Sequence, residues 1–183
     1  MHSPLMMRDN ATFRWMEPQD IATLGALAGR IWNAHYRSII AQAQIDFMLP
    51  RSYSAEALQE QQASGQRFLL AEMDGEMIGF LSFSDLAKIE NLILRGKDSV
   101  EGGIFLHKFY LASECQGKGI GKKMFAELLR RVPEIQKIRL QVHRRNVNSW
   151  NFYKKIGFKI VCEADFDIGD GFQMNDYVME KRC

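Results

Sequence analysis

Apolar residues in the first third of the chain recur every three or four positions, which is the spacing of an amphipathic helix. The predicted helices cover residues 20–36, 39–49 and 54–63. Asp20 and Ser54 are residue types that cap helix N-termini, and Pro50 is expected to end the middle helix. A short run over residues 11–15 precedes these helices and predicts a first strand.

Beyond residue 67 the period changes, and apolar residues come in short runs. Asp74 and Gly75 separate the first two runs and indicate a tight hairpin turn, and residues 169–171 indicate a later turn. The predicted strands cover residues 68–72, 77–83, 104–111, 138–142, 158–166 and 173–179, with helices over residues 119–132 and 149–156 between them. This order predicts an α/β fold (α+β, mixed sheet) in which helices flank a central sheet.

Length and charge narrow the class of protein. The chain has 183 residues, 46% of them hydrophobic, so we expect one domain over residues 1–183 with a full apolar core. There are 24 Lys and Arg against 22 Asp and Glu, and a net charge of +2 argues against a nucleic-acid-binding protein. No apolar run approaches the ~18 residues that a membrane span needs, and residues 1–16 do not resemble a signal peptide. We therefore expect a cytoplasmic protein with no membrane partner.

The cysteines do not resemble a metal site. Cys115, Cys162 and Cys183 are widely spaced, and neither a CxxC pair nor a zinc-ligand spacing of Cys and His occurs. We therefore expect free thiols in a reducing compartment and no bound metal.

The most informative segment is the glycine-rich turn, residues 116–123, which reads QGKGIGKK and joins a predicted strand to the best-patterned helix. Alternating glycines let the backbone approach a ligand and direct several N–H groups into one concavity at a helix N-terminus, which predicts a phosphate or pyrophosphate site. The P-loop spacing fails, because Gln116 stands at its first glycine position and Lys123 at its Ser/Thr position. The G-x-G-x-x-G fingerprint of dinucleotide-binding folds fails as well.

The spacing that fits is Q-x-x-G-x-G, formed by Gln116, Gly119 and Gly121. A second pattern follows over residues 146–158, which match N-x-x-[AS]-x-x-[FL]-Y-x-K-x-G-F. In these two motifs, over roughly residues 104–158, the chain resembles the GNAT superfamily of acyl-CoA-dependent N-acyltransferases. The resemblance implies the GNAT fold, acetyl-CoA (coenzyme A) as cosubstrate, N-acetyltransferase activity through a tetrahedral intermediate, and a homodimer.

The resemblance also implies roles for single residues. The N–H of Leu111 would stabilise the oxyanion, Asn146 would bind the pantetheine arm, and Tyr153 would protonate the leaving thiolate as a catalytic acid. Alternatively, Asn146 caps a helix and Tyr153 only packs. Arg144 and Arg145 either reach the nucleotide phosphates or form a solvated surface. The residues implied in cosubstrate binding are Phe109, Tyr110, Leu111, Gln116, Gly117, Lys118, Gly119, Ile120, Gly121, Lys122, Asn146 and Tyr153.

The acceptor amine needs a base, because a primary amine with a pKa of about 10.4 is mostly protonated at pH 7. Many GNAT proteins have a glutamate eleven residues before the Gln of the first motif, whereas this chain has Phe105 there. Strand alternation would place His107 on the face of Phe105 and Phe109, and we predict His107 as the catalytic base. A structural histidine is the alternative, and Glu101 is a second candidate base.

The acceptor itself is predicted only by resemblance. His107 and the apolar N-terminal helices resemble the bacterial spermidine/spermine acetyltransferases, which favours a polyamine-like small-molecule amine. Asp165, Asp167 and Asp170 either attract such a polycation or form a solvated acidic loop. The alternatives are a protein or peptide amine as acceptor, or a non-catalytic module that binds acyl-CoA.

Overall fold

The computed structural model describes residues 10–97 and 101–183. Residues 1–9, which belong to the segment without signal-peptide character, lie outside the described residues. Seven strands form one sheet in the order β1-β2-β3-β4-β5-β7-β6. They are β1 (Thr12–Trp15), β2 (Arg67–Met73), β3 (Glu76–Asp85), β4 (Gly103–Leu111), β5 (Lys137–His143), β6 (Lys159–Gly169) and β7 (Phe172–Arg182).

All neighbouring strands are antiparallel except β4 and β5, which run parallel. The described helices are α1 (Ile21–His35), α2 (Gln42–Tyr53), α3 (Ala55–Ala63), α4 (Leu92–Arg95), α5 (Ile120–Arg131) and α6 (Val147–Lys155). The mixed sheet with flanking helices confirms the predicted fold class. The longest described helix, α1, has 15 residues, and no helix in the described ranges is long and apolar enough to cross a bilayer.

Helices cover both faces of the sheet. The ring of Tyr110 on β4 lies 6.2 Å from Trp32 of α1, whereas the adjacent Phe109 lies 5.5 Å from Phe152 of α6. Because successive side chains of a strand point to opposite faces, α1 and α6 lie on opposite sides of the sheet. The end of β4 therefore contacts both helical layers.

The prediction that Pro50 ends a helix was wrong. Helix α2 begins only at Gln42 and continues through Pro50 to Tyr53. A proline inside a helix loses one backbone hydrogen bond and costs about 3 kcal/mol. Tertiary contacts offset this cost, because the side chain of Tyr53 is buried and its hydroxyl oxygen accepts a hydrogen bond from Nε1 of Trp32 at 3.2 Å.

The predicted hairpin turn between β2 and β3 is confirmed. Asp74 and Gly75 both have positive φ, at 53° and 82°, as a two-residue turn between twisted antiparallel strands requires. The predicted turn over residues 169–171 joins β6 to β7 in the same way. The four-residue helix α4 was not predicted.

The parallel pair β4–β5 determines where a ligand can enter. The two strands pair only where Gly103, Ile104 and Phe105 face residues 137–139 of β5. Beyond Phe105 they are no longer paired, while β4 continues to Leu111 beside β3. A gap therefore opens in the middle of the sheet at the carboxyl end of β4.

Candidate active site

A cavity of about 590 Å³, called here the larger cavity, occupies the region around this gap. Its volume lies within the usual range for small-molecule sites. It is lined by the end of β4, the glycine-rich turn and α6, with Ile31 and His35 contributed by α1. The predicted cosubstrate residues that line it are Phe109, Tyr110, Leu111, Gln116, Gly117, Gly119, Gly121, Lys122 and Tyr153.

The glycine-rich turn has the backbone geometry of an anion site. Gly117 and Gly119 have φ of 75° and 82°, which side-chain-bearing residues rarely adopt. Gly119 caps α5, and the first hydrogen bond within this helix runs from the N–H of Lys123 to the carbonyl of Gly119 at 3.1 Å. The four N–H groups of residues 119–122 have no intrahelical acceptor, so they can bind an anion together with the helix dipole.

Three predicted residues of the turn have different surroundings. Lys118 is exposed and does not line the larger cavity. Ile120 is fully buried and fixes the start of α5 in the core. A Cβ on Gly121 would lie 3.2 Å from Cζ of Phe152, so this glycine permits close approach of α5 to α6.

Gln116 lines the larger cavity and also holds the end of β4 in place. Its Nε2 donates a hydrogen bond to the carbonyl of Leu111 at 3.1 Å. The N–H of Ala112 donates to the carbonyl of Ile78 on β3, at 2.8 Å. Because antiparallel pairs alternate along a strand, the N–H of Leu111 points away from β3 and into the gap. This orientation is the one that the predicted role of the Leu111 N–H as oxyanion donor requires.

Tyr153 lies at the centre of the site. Its side chain is buried, and its ring lies 6.3 Å from Phe109 and 5.5 Å from Phe158. Burial raises the pKa of Tyr153 well above its ordinary value, so the hydroxyl keeps its proton at neutral pH. A buried, protonated phenol is a suitable donor to a departing thiolate.

Asn146 caps a helix, as one of the two predictions for it stated. It is the N-cap of α6, and its Oδ1 accepts a hydrogen bond from the N–H of Ser149 at 3.4 Å. The same oxygen lies 3.1 Å from Nε2 of His35. The side chain is buried and lines a second, smaller cavity rather than the larger one.

The smaller cavity has a volume of about 190 Å³ and adjoins the larger one. Phe109, Tyr110, Ser149 and Tyr153 line both. Its other walls carry the aromatic rings of α1 and α2 together with a set of polar groups. Those polar groups include His107, Lys108, Gln141, His143, Asn146 and Asp176.

His107 lines the smaller cavity and shares the face of Phe105, as alternation predicted, but it does not share the face of Phe109. Phe83 of β3 pairs with Leu106, and Ser82 pairs with Lys108, so His107 is the extra residue of a β-bulge. The bulge reverses the alternation, and Phe109 therefore lies on the opposite face of the sheet from His107. The expectation that these two side chains share a face was wrong.

The surroundings of His107 are those of a neutral imidazole. Its Nε2 lies 2.7 Å from Oγ of Ser84, and its ring lies 5.0 Å from that of Phe105. Burial, with a smaller contribution from the neighbouring Lys108, lowers the pKa of His107 to about 4. The ring is therefore uncharged at neutral pH.

Several polar residues of the two cavities were missed in the sequence, among them His35, Lys108 and Asp176. His35 ends α1, Lys108 follows the bulge, and Asp176 lies in the middle of β7. Nζ of Lys108 donates to Oε1 of Gln61 at 2.8 Å, and burial lowers the pKa of Lys108 to about 8. For Lys108 and Asp176 the signal was an ionisable residue inside an apolar strand pattern. The surroundings of all three residues come from distant parts of the chain.

The remaining charged candidates lie outside both cavities. Arg144 binds Glu163 at 3.1 Å and Asp165 at 2.6 Å, which matches the surface alternative for this residue. Arg145, Asp167 and Asp170 are exposed. Glu101 is exposed before β4 begins, at the opposite end of the strand from the gap.

Comparison with known proteins gives related sequences with the same architecture. Spermidine N(1)-acetyltransferase of Thermoplasma acidophilum is 29% identical over 176 residues, which cover 92% of this chain and 95% of the relative. Spermine/spermidine N(1)-acetyltransferase of Bacillus subtilis is 28% identical over 97 residues, covering 51% and 60%. The crystal structure of the PaiA N-acetyltransferase of Thermoplasma acidophilum, in complex with coenzyme A, superimposes with a TM-score of 0.73 at 27% identity, covering 95% of this chain and 99% of that one.

The family assignment rests on a longer part of the chain than the two motifs. The family model described as "Acetyltransferase (GNAT) family" matches residues 32–158, from the end of α1 to the residue before β6. This range includes the separated strands β4 and β5, the glycine-rich turn and α6. The resemblance seen in the sequence is thereby confirmed, and the chain belongs to the GNAT family of acetyltransferases.

Proposed function

We propose that this protein transfers an acetyl group from acetyl-CoA to a primary amine of a small molecule of the polyamine class. The observation that carries the proposal is the junction of two cavities at Tyr153, with an anion site at one end. The larger cavity suits an extended anionic cosubstrate, and the smaller one suits a slender acceptor.

The donor side of the proposal rests on groups of this chain. The free N–H groups at the start of α5 would hold the pyrophosphate, with Lys122 at the rim. The edge of β4 at Phe109 and Leu111 would align the pantetheine arm, because its N–H groups point into the gap. Acetyl-CoA supplies the thioester carbon that an amine can attack.

The chemical step needs an oxyanion donor and an acid. The N–H of Leu111 would stabilise the negative charge that develops on the carbonyl oxygen. Tyr153 would donate its proton to the departing sulfur, a role supported by its raised pKa and its place between the cavities. In this proposal His107 lies beside the acceptor, and its neutral imidazole can accept a hydrogen bond from the amine.

The polyamine class is supported by the named activities of the relatives. The relatives from Thermoplasma acidophilum and Bacillus subtilis are named as acetyltransferases of spermidine and spermine. A peptide α-amine is the second candidate acceptor. An N-alpha-acetyltransferase of Sulfurisphaera tokodaii is 27% identical over 156 residues, which cover 78% of this chain and 87% of that protein.

The proposal is tested by thiol release from acetyl-CoA with a panel of spermidine, spermine, free amino acids and N-terminal peptides. Mass spectrometry of the product identifies the acetylated nitrogen. We expect turnover with spermidine or spermine and little with peptides. The reverse preference would favour the second candidate. Tight coenzyme A binding without turnover on any amine would leave only the non-catalytic module.

A further inference from the structure

Asp176 is a buried carboxylate without a partner. It lies in the middle of β7, and its exposed fraction is 0%. Neither Oδ1 nor Oδ2 has a hydrogen-bond partner among the described residues. Burying an unpaired carboxylate costs several kcal/mol, so a fold retains one only where something else makes use of it.

The side chain of Asp176 lines the smaller cavity. That cavity adjoins the larger one at Tyr153, which lines both. The unpaired carboxylate therefore belongs to the space into which an acceptor amine would extend its reacting end. An acceptor amine in this cavity could donate to the carboxylate, which accepts no hydrogen bond from the described residues.

The charged and titratable groups around Asp176 do not neutralise it. On β5, His143 pairs directly with it, and burial together with Arg145 and Arg144 lowers the pKa of His143. Arg144 already binds two carboxylates, one of them Asp165 on β6. The Tyr36 hydroxyl, after α1, stays protonated because burial raises its pKa.

The remaining titratable groups of the smaller cavity come from α2, β4 and α6. Burial raises the pKa of Tyr53 and of Tyr110, so both hydroxyls stay protonated. Nζ of Lys108 is bound to Gln61 and lies 5.3 Å from the ring of Tyr53. His107 is neutral and bound to Ser84, and Tyr153 is protonated. No cation within the described residues is paired with the Asp176 carboxylate.

We infer that Asp176 binds the reacting ammonium group of the acceptor and takes a proton from it. This inference rests on the proposed function and deepens its acceptor side. A primary ammonium offers three N–H donors, which satisfies both carboxylate oxygens. Asp176 is therefore a catalytic residue in this proposal, and His107 is a neighbouring hydrogen-bond acceptor.

The protons balance in this scheme. One proton moves from the ammonium nitrogen to a carboxylate oxygen of Asp176, and the neutral amine attacks the thioester carbon. The C–N bond forms and the C–S bond breaks, and Tyr153 gives its proton to the sulfur. The second amine proton restores the Tyr153 phenol, and Asp176 returns its proton to solvent. Burial raises the pKa of Asp176 to about 7, which suits a proton acceptor at neutral pH.

The test compares Asp176→Asn with the wild type and with Glu163→Gln. Glu163 lies on the neighbouring strand β6 with a side chain that is 62% exposed, so its variant removes the same charge outside the cavity. Thiol release with spermidine gives kcat/KM. Calorimetry gives the affinity for coenzyme A, and then for spermidine in the presence of coenzyme A.

We expect Asp176→Asn to lower kcat/KM for spermidine by about 100-fold. Coenzyme A affinity should stay unchanged, and Glu163→Gln should stay within about twofold of the wild type. A value for Asp176→Asn within about threefold of the wild type would overturn the inference and leave the proposed function intact.

Two further outcomes separate the inference from the proposed function. If the wild type acetylates no amine, the proposed function fails. Spermidine binding that is lost in Asp176→Asn then supports the amine site, and absence of binding to the wild type refutes it.

If Asp176→Asn does not fold, the pH dependence of the wild-type affinity for spermidine tests the inference. Affinity should rise through about pH 7 as the carboxylate ionises, and a flat profile between about pH 6 and pH 8 contradicts the inference.

Discussion

Tyr153 and Asp176 are two buried ionisable residues beside the proposed reaction centre whose neutral forms the fold favours. Both have raised pKa values because burial disfavours the charged form. The consequences differ, because Tyr153 stays protonated throughout the physiological range whereas Asp176 titrates within it. The first is suited to give a proton, and the second to take one.

Replacing Tyr153 with Phe removes the proposed acid and keeps the ring packing. We expect kcat to fall about 100-fold, the usual contribution of a positioned general acid, with coenzyme A affinity unchanged. Steady-state kinetics and calorimetry measure the two quantities. Tyr177→Phe is the matched control, because Tyr177 packs on Trp150 and lines neither cavity. Equal kcat for Tyr153→Phe and the control would exclude Tyr153 as the acid.

The buried carboxylate of Asp176 also makes the stability of the fold depend on pH. Its pKa is raised from 3.8 to about 7 on folding, so the folded state holds a proton that the unfolded state has lost. Asp176 therefore costs stability increasingly as the pH rises from about 4 to about 7, by about 1.4 kcal/mol per pH unit.

We expect Asp176→Asn to be more stable than the wild type at pH 8, with a difference that shrinks towards pH 4. Urea unfolding at several pH values measures the difference in the free energy of unfolding. A difference that does not depend on pH would show that the carboxylate has an ordinary pKa in the folded protein.

At the scale of elements, the glycine-rich turn and α5 act as one unit. The turn places Gly119 in the left-handed region, and this residue begins the helix whose N–H groups face the larger cavity. Backbone conformation, rather than a side chain, would thus form the proposed anion site. Substitutions of the glycines in this turn should therefore weaken anion binding by straining the backbone at positive φ.

Gly119→Ala should raise the dissociation constant of coenzyme A at least about tenfold and lower stability by about 1 kcal/mol, because a residue with a Cβ is strained at φ of 82°. Calorimetry and urea unfolding test both effects. Gly29→Ala is the control, since Gly29 lies within α1 and a Cβ there meets no atom within 4 Å. Unchanged coenzyme A affinity in Gly119→Ala would mean that the turn does not form the anion site.

At the scale of the whole molecule, the gap between β4 and β5 reduces the pairing between the two halves of the sheet, and a ligand bound there can add contacts between them. Among the described residues, the parallel pairing of β4 with β5 comprises three residue pairs, and the N–H of Gln136 donates one further backbone hydrogen bond to the carbonyl of Gly102 beside them. A cosubstrate lying along the edge of β4 would contact both halves and stabilise the folded state by mass action. Stability and cosubstrate binding are therefore linked.

We expect coenzyme A at about 100 times its dissociation constant to stabilise the protein by about 2.7 kcal/mol, which raises the melting temperature by about 5–10 °C. Differential scanning fluorimetry measures the shift. Adenosine, which lacks the pyrophosphate and the pantetheine arm, should give a much smaller one. Equal shifts for both compounds would contradict the proposed site.

The single domain over residues 1–183, the homodimer and the cytoplasmic location stay predictions. The described residues form one continuous sheet with a core on both faces, which is consistent with the first of these.

The sequence by itself determined the features that depend on neighbouring residues. The periods of the strands and of α5, the Asp74–Gly75 turn and the glycine-rich turn are all local, because each follows from backbone preferences over a few positions. The two GNAT motifs are short as well, so the family was predicted correctly from residues alone, whereas the anion site stays a prediction.

Only the tertiary structure decided the features that depend on distant partners. Helix α2 continues past Pro50 because Tyr53 packs on Trp32, and the bulge at His107 arises in the pairing with β3. The burial of Asp176 depends on β5 and β6, which pair with β7 on its two sides. Sequence patterns carry local preferences, but burial, register and the pKa of an ionisable group are set by what folding brings alongside it.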